Sequence, residues 1–183
     1  MVDQIVFEKL SREELLKIID MYAKNWLAID GTWFLAAEHK FDLDTAIELD
    51  TESWRRFSPI EAQRIMKEIG IPPNSGLEGL KKALQYRVYA RLNKQVIEEV
   101  DATRFIYRME KCRVQDARKR KGLPDFPCKS VGLVEYTEFA KTIDPRITTK
   151  CLGCPPDPHP DEWWCAWEFA ILNRNVMTKN TNK

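Results

Sequence analysis

Apolar residues at Leu15, Ile19, Tyr22, Trp26, Ile29, Trp33 and Ala37 recur with a period of about 3.6 residues. They predict a long helix that turns this stripe toward the core. Ser11-Arg-Glu-Glu14 reads as the capping box that starts it, and Gly31 marks a point for a bend or a division. A second, short helix is predicted near residues 43–54. Ser58-Pro59-Ile60-Glu61 predicts a further start, with proline at the first helical position, and that helix ends near Gly70. Ile71-Pro-Pro-Asn-Ser-Gly76 is a break. Leu77, Leu80, Leu84, Val88 and Leu92 then predict a fourth helix.

From about Ala102 the period falls to two. Thr103-Arg-Phe-Ile-Tyr-Arg-Met-Glu110 alternates, with Phe105, Tyr107 and Met109 on one face. Residues 131–143 predict a helix whose turns are spanned by Val131, Val134, Glu135, Glu138 and Phe139. Residues 146–152 and 163–172 predict two more strands. On the last, Cys165, Trp167, Phe169 and Ile171 share a face, and Ala166, Glu168 and Ala170 take the other. Pro155-Pro-Asp-Pro-His-Pro160 joins these strands and must be a loop, because proline supplies no backbone donor. The pattern gives an α+β fold, an N-terminal helical layer packed on a small C-terminal antiparallel sheet. A single domain is expected over residues 1–183: mainly helical over 1–97, sheet-containing and cysteine-rich over 98–172, with a polar tail at 173–183.

A length of 183 residues suits one domain, and 44% hydrophobic with 31% charged residues excludes a disordered chain. No apolar run approaches the roughly 18 residues that span a bilayer, and no secretory leader is visible, so a cytoplasmic protein without membrane partners is expected. The net charge of +1 excludes a globally basic nucleic-acid coat. Charge is nonetheless uneven: the first 70 residues hold 14 acids and 9 bases, the remainder 14 and 20. Residues 111–129 carry seven bases and two acids. An RNA-binding reading places phosphates there and stacks bases on Trp163 or Trp164. The run lacks interleaved aromatics, so a solvated loop is the simpler account and nucleic acid is not favoured. Arg113 and Arg118 also suit a small carboxylate, since guanidinium matches its geometry.

All five cysteines fall between residues 112 and 165. An odd number cannot pair fully, and without a leader free thiols are the default. Cys151-Leu-Gly-Cys154 has the spacing that points two thiolates at one cation, and Cys165 returns on the next strand. With Cys128 as the preferred fourth ligand, and Cys112 and His159 in reserve, this set suits tetrahedral zinc or iron. Against it, a second such pair is absent, and Pro155 follows where zinc knuckles place glycine. Buried inert thiols compete on equal terms, and a nucleophilic thiol is a third reading. Trp26, Asp30 and Trp33 share one side of the first long helix, with Glu38 near its end. Asp30, Trp33 and Glu38 are candidate ligand contacts, although core packing and capping explain them more simply. Trp163 and Trp164, adjacent on a strand, face opposite ways. One of them needs cover from a ligand, the proline loop or a second subunit, which makes Trp164 a ligand candidate and a homo-oligomer the expected state.

The run Cys112-Arg-Val-Gln-Asp-Ala-Arg118, Gly122-Leu-Pro-Asp-Phe-Pro-Cys128, Ile143-Asp-Pro-Arg-Ile147, Cys151-x2-Cys154 and Trp164-Cys-Ala-Trp-Glu-Phe169 resembles an uncharacterised family of prokaryotic cytosolic proteins. Asp30-Gly-Thr-Trp-Phe34, Glu38, Ala46-Ile-Glu-Leu-Asp50 and Trp54 resemble its first half, and the family implies no activity. More distantly, the cysteine-bearing end is similar to 4-vinyl-reductase or hydrocarbon-binding domains and to L-2-amino-thiazoline-4-carboxylate hydrolases. Both resemblances imply a ligand cavity between helices and sheet, and Cys151 and Cys165 carry over best. The added Cys154 and the proline-rich insert depart from both. The leading expectation is a cytoplasmic protein that binds a small molecule, anionic or hydrophobic, and holds zinc or iron on cysteines. A hydrolase of a carboxylate-bearing heterocycle, using cysteine as nucleophile or metal ligand, is the alternative.

Overall fold

A computed structural model describes residues 5–171. Contacts gather the described residues into two units, divided between Ala46 and Ile47.

The first unit is built on α1 (Ile5–Glu8) and α2 (Arg12–Lys40). The capping box is formed: Glu14 donates its N–H to Ser11 Oγ at 3.3 Å, and Ser11 N–H donates to Glu14 Oε2 at 2.8 Å. Helix α2 runs through Gly31 without a break. Its buried line is drawn by Ala23 and Ala37, with Leu27 and Phe34 half-buried beside it. The stripe expected in the core is largely outside it: Ile19, Tyr22, Ile29 and Trp33 are exposed. The cause is that α2 carries apolar side chains around most of its circumference, so periodicity alone does not choose the inner face.

Helix α3 (Leu43–Ile69) is one element where two were expected, with Pro59 inside it. Proline removes the N–H that would bond the carbonyl of Arg55. The halves nevertheless share one buried side, formed by Trp54, Ser58, Glu61 and Ala62. Asp42 Oδ1 caps its start by accepting from Thr45 N–H at 2.7 Å.

In the second unit α3 is followed by α4 (Gly76–Leu84), a short 3-10 turn (Val88–Arg91), β1 (Lys94–Asp101) and β2 (Arg104–Lys111). Then come α5 (Arg113–Arg120), α6 (Lys129–Ile143), β3 (Ile147–Gly153) and β4 (Cys165–Ile171). The expected fourth helix therefore stops at Leu84. Strand β1 and helix α5 are additions to the sequence reading. Strand β1 hides its period because it is an edge strand with the adjacent pair Glu98-Glu99.

The sheet is antiparallel throughout, in the order β1-β2-β4-β3. Register places Phe105 opposite Phe169, Tyr107 opposite Trp167 and Met109 opposite Cys165. This is the buried face, and it packs with Leu80, Ala83 and Leu84 of α4 and Tyr136, Phe139, Ala140 and Ile143 of α6. Tyr136 lies 4.8 Å from Trp167 between ring centroids. Gly132 lets that indole approach α6, since a Cβ there would stand 2.7 Å from Trp167 Cζ2. The opposite face is charged, with Arg108 paired to Glu98 and Arg104 to Glu168. The result is the α+β layering expected from the sequence.

Candidate functional site

Three sulfurs meet at one end of the helix–sheet seam. Cys128 stands at the N-terminus of α6, Cys154 follows β3, and Cys165 opens β4. Lys129 N–H donates to Pro155 O at 3.0 Å, which ties the start of α6 to the loop beyond Cys154. Cys128 Sγ and Cys154 Sγ are 3.4 Å apart, and the Cys165 thiol is also within hydrogen-bonding reach of Cys154. Gln115 organises the other side. Its amide accepts from Phe126 N–H and donates to Phe126 O, both at 2.9 Å, and its Nε2 also approaches Cys128 Sγ at 3.6 Å. This clamp is why α5 forms: it buries Gln115 against the loop that delivers Cys128.

The thiols are not equivalent. The hydrogen bond from Cys154 pulls Cys128 below the ordinary thiol range against the effect of burial. Cys154, bonded to Cys128 and then to Cys165, is held strongly protonated. Burial pushes Cys112 up to about 12 and raises Cys151. Both belong to the packing shell around the core, Cys151 on β3 opposite Trp167 and Cys112 just before α5. Among the described residues no three His, Cys, Asp or Glu side chains are already spaced to hold a metal ion. The Cys128–Cys154 separation is close to, and shorter than, the about 3.8 Å edge of a tetrahedron with metal–sulfur bonds of about 2.3 Å.

The other candidates fall elsewhere. His159 Nδ1 donates to Pro160 O at 3.0 Å, and its ring lies 5.2 Å from Trp164 and 6.3 Å from Trp163. Trp163 lies over Gly153, where a Cβ would stand 2.8 Å from its ring. The proline loop thus covers both tryptophans, one of the three forms of cover expected. Arg118 is buried: its Nε donates to Pro124 O at 2.8 Å and its guanidinium lies 5.8 Å from the Phe126 ring centroid. The cation expected to meet phosphate or carboxylate is instead committed to the fold. The backbone N–H of Arg113 donates to Asn93 Oδ1 at 2.9 Å. Asp30, Trp33 and Glu38 belong to α2 in the first unit, where burial raises the carboxyl of Asp30.

A second set of groups gathers around Arg87, which the sequence did not mark, although Glu61 stood there as a carboxylate beside an apolar face. Arg87 is buried with two carboxylates, its Nε 2.8 Å from Glu61 Oε2 and its Nη1 2.7 Å from Glu135 Oε1. Its guanidinium lies 4.7 Å from the Phe139 ring centroid and 5.4 Å from that of Tyr136. Burial opposes its charge, and Glu61 and Glu135 outweigh that opposition and hold it charged. Tyr107 hydrogen-bonds Gln95 Oε1, and burial raises its phenol far above the usual range. Three buried donors here have no acceptor among the described residues: Arg87 Nη2, Gln95 Nε2 and Trp167 Nε1. The signal available in the sequence was a carboxylate at a core-phase position, Glu135 within the apolar spacing of α6. Arg87 gave none, because it falls within the expected fourth helix but off its apolar spacing of Leu84, Val88 and Leu92.

Among known families, the model of one described as a family of unknown function (DUF6125) matches residues 8–171. No curated protein and no solved structure matches the chain, so the likeness to vinyl-reductase and thiazoline-carboxylate hydrolase groups finds no named relative in its support.

Proposed function

The chain belongs to the family of unknown function DUF6125, and we propose that it is a small-ligand-binding protein with a thiolate metal site at its helix–sheet seam. The observation that carries this reading is the convergence of Cys128, Cys154 and Cys165, from three separate elements, on one place. Cys151 or Cys112 supplies the fourth sulfur, and zinc or iron is the metal class that soft ligands select. Unpaired thiols accord with a reducing, cytoplasmic setting. The ligand reading rests on the unpartnered donors Arg87 Nη2, Gln95 Nε2 and Trp167 Nε1. Two carboxylates already share one guanidinium there, so an oxygen acceptor on an uncharged, largely apolar molecule suits the place better than an anion.

The test is elemental analysis of protein purified without added metal, followed by cobalt substitution. About one equivalent of zinc or iron is expected, with thiolate-to-cobalt absorption that Cys154→Ser weakens. Metal-free protein that gives no such absorption on adding cobalt would refute the metal site. The hydrolase reading keeps one support: Cys128 heads a helix and receives Gln115 Nε2, a setting for a nucleophilic thiol. It predicts metal-free protein in which Cys128 alkylates far faster than the other four cysteines.

A further inference from the structure

The exposed stripe of α2 is a seam. Ile19, Tyr22, Trp26, Ile29 and Trp33 are separated by three, four, three and four residues, the spacing by which paired helices interlock side chains. Leu15 extends the series at its start, and no charged residue occupies any of these positions. Four of the side chains stand well out of the fold: Ile19 is 48% exposed, Tyr22 54%, Ile29 63% and Trp33 62%. At roughly 150–250 Å² for a whole aromatic side chain and somewhat less for an aliphatic one, these four leave on the order of 450 Å² open. That matches the size of the largest apolar patch on a typical monomer, about 300–600 Å², a patch that is often functional.

We infer that this seam is a self-association surface, covered by α2 of a second copy of the same chain. A twofold interface requires a patch complementary to itself, and an apolar stripe of alternating three and four spacing, with Asp30 beside it, meets that requirement. Two such stripes face to face bury about 900 Å² from these four side chains alone, and the flanking atoms bring this toward the roughly 1,200 Å² at which specific interfaces begin. The tryptophans suit the role, since large rigid rings dominate such contacts. Helix α2 is continuous through Gly31, so all five positions belong to one element.

Sedimentation of the full chain over a wide concentration range tests this. A mass of twice 21.5 kDa is expected for the native protein. The double variant Ile29→Glu/Trp33→Glu changes side chains that are exposed in the single chain, so it should fold and sediment at half the native mass. If that variant fails to fold, Ile19→Lys serves the same purpose at the other end of the seam. A native mass of one chain at every concentration would overturn the inference, as would a folded seam variant that keeps the native mass.

Discussion

Gly132 and Gly31 both lie inside helices, yet alanine should act in opposite directions at the two sites. At Gly132 the added Cβ would stand 2.7 Å from Trp167 Cζ2 and 3.0 Å from Cη2. Ordinary contact lies near 3.5–4.0 Å, so the indole must retreat by about 1 Å. Trp167 is among the largest fully buried side chains and is pressed by Tyr136 from the same side, so it has no free direction. Overpacking of this kind costs about 1–3 kcal/mol. Replacing a helical glycine returns about 1 kcal/mol of backbone entropy, and the net loss expected for Gly132→Ala is up to about 2 kcal/mol. At Gly31 a Cβ meets nothing within 4 Å, so only the gain remains and Gly31→Ala should stabilise by up to about 1 kcal/mol. Urea unfolding followed by far-ultraviolet circular dichroism separates the cases, with the midpoint moving down for one and up for the other at similar slope. If Gly132→Ala stabilised the protein as much as Gly31→Ala, the close packing of Trp167 on α6 would be wrong.

Two more outcomes follow from charge. Arg87→Met should cost about 3–5 kcal/mol because it strands Glu61 and Glu135 in the interior, whereas the triple variant with Glu61→Gln and Glu135→Gln should recover much of that; urea midpoints decide, and a mild effect of the single change would show that the cluster is open to water. Asp101 is held down to about 2, first by the Thr103 hydroxyl and then by the Thr103 N–H and Arg104. A depressed carboxylate contributes stability above its unfolded value of about 3.9 and loses it as pH falls through the folded value. The destabilisation by Asp101→Ala should therefore be full at neutral pH and fade between about pH 4 and 2, and a penalty that persisted at pH 2 would contradict the assignment.

The layering was legible because it rests on periodicity, and periodicity survives wherever one face of an element is buried. Strand β4 is the clear case: Cys165, Trp167 and Phe169 alternate with Ala166 and Glu168, and the buried face follows. Helix α2 defeated the same reasoning because apolar residues surround it, and its inner line is marked by two alanines rather than by its largest side chains. Pro59 was read as a helix start because local chemistry favours that position, and the continuous buried side of α3 prevailed over it. For the site, the hairpin brings Cys165 back beside Cys154, while Cys151 of the same spacing packs against the core. The approach of Cys128 depended on the Gln115 clamp and on Lys129 N–H to Pro155 O, contacts between segments that no local pattern encodes. Arg87 was invisible for the same reason: its partners are 26 and 48 residues away in sequence.

The composition of the inner face is itself an argument for a site. An interior chosen for stability alone would fill the seam between β2, β4 and α6 with aliphatic side chains, because a buried ion pair replaced by well-packed apolar residues is often neutral or stabilising. This seam instead holds a guanidinium with two carboxylates, two buried phenols and, toward one end, three converging thiols. The groups also lie within one another's electrostatic reach: Glu135 acts on Cys128 as well as on Arg87, and Cys165 acts on Tyr107 and Tyr136. Only Tyr107 and Cys165 of these groups stand on the sheet; Glu61 comes from α3, Arg87 from the turn before the 3-10 segment, Glu135 and Tyr136 from α6, and Cys128 and Cys154 from the ends of α6 and β3. The concentration of costly groups at the seam, against an otherwise apolar core of Leu80, Leu84, Phe105, Phe139 and Ile143, supports the ligand reading proposed above.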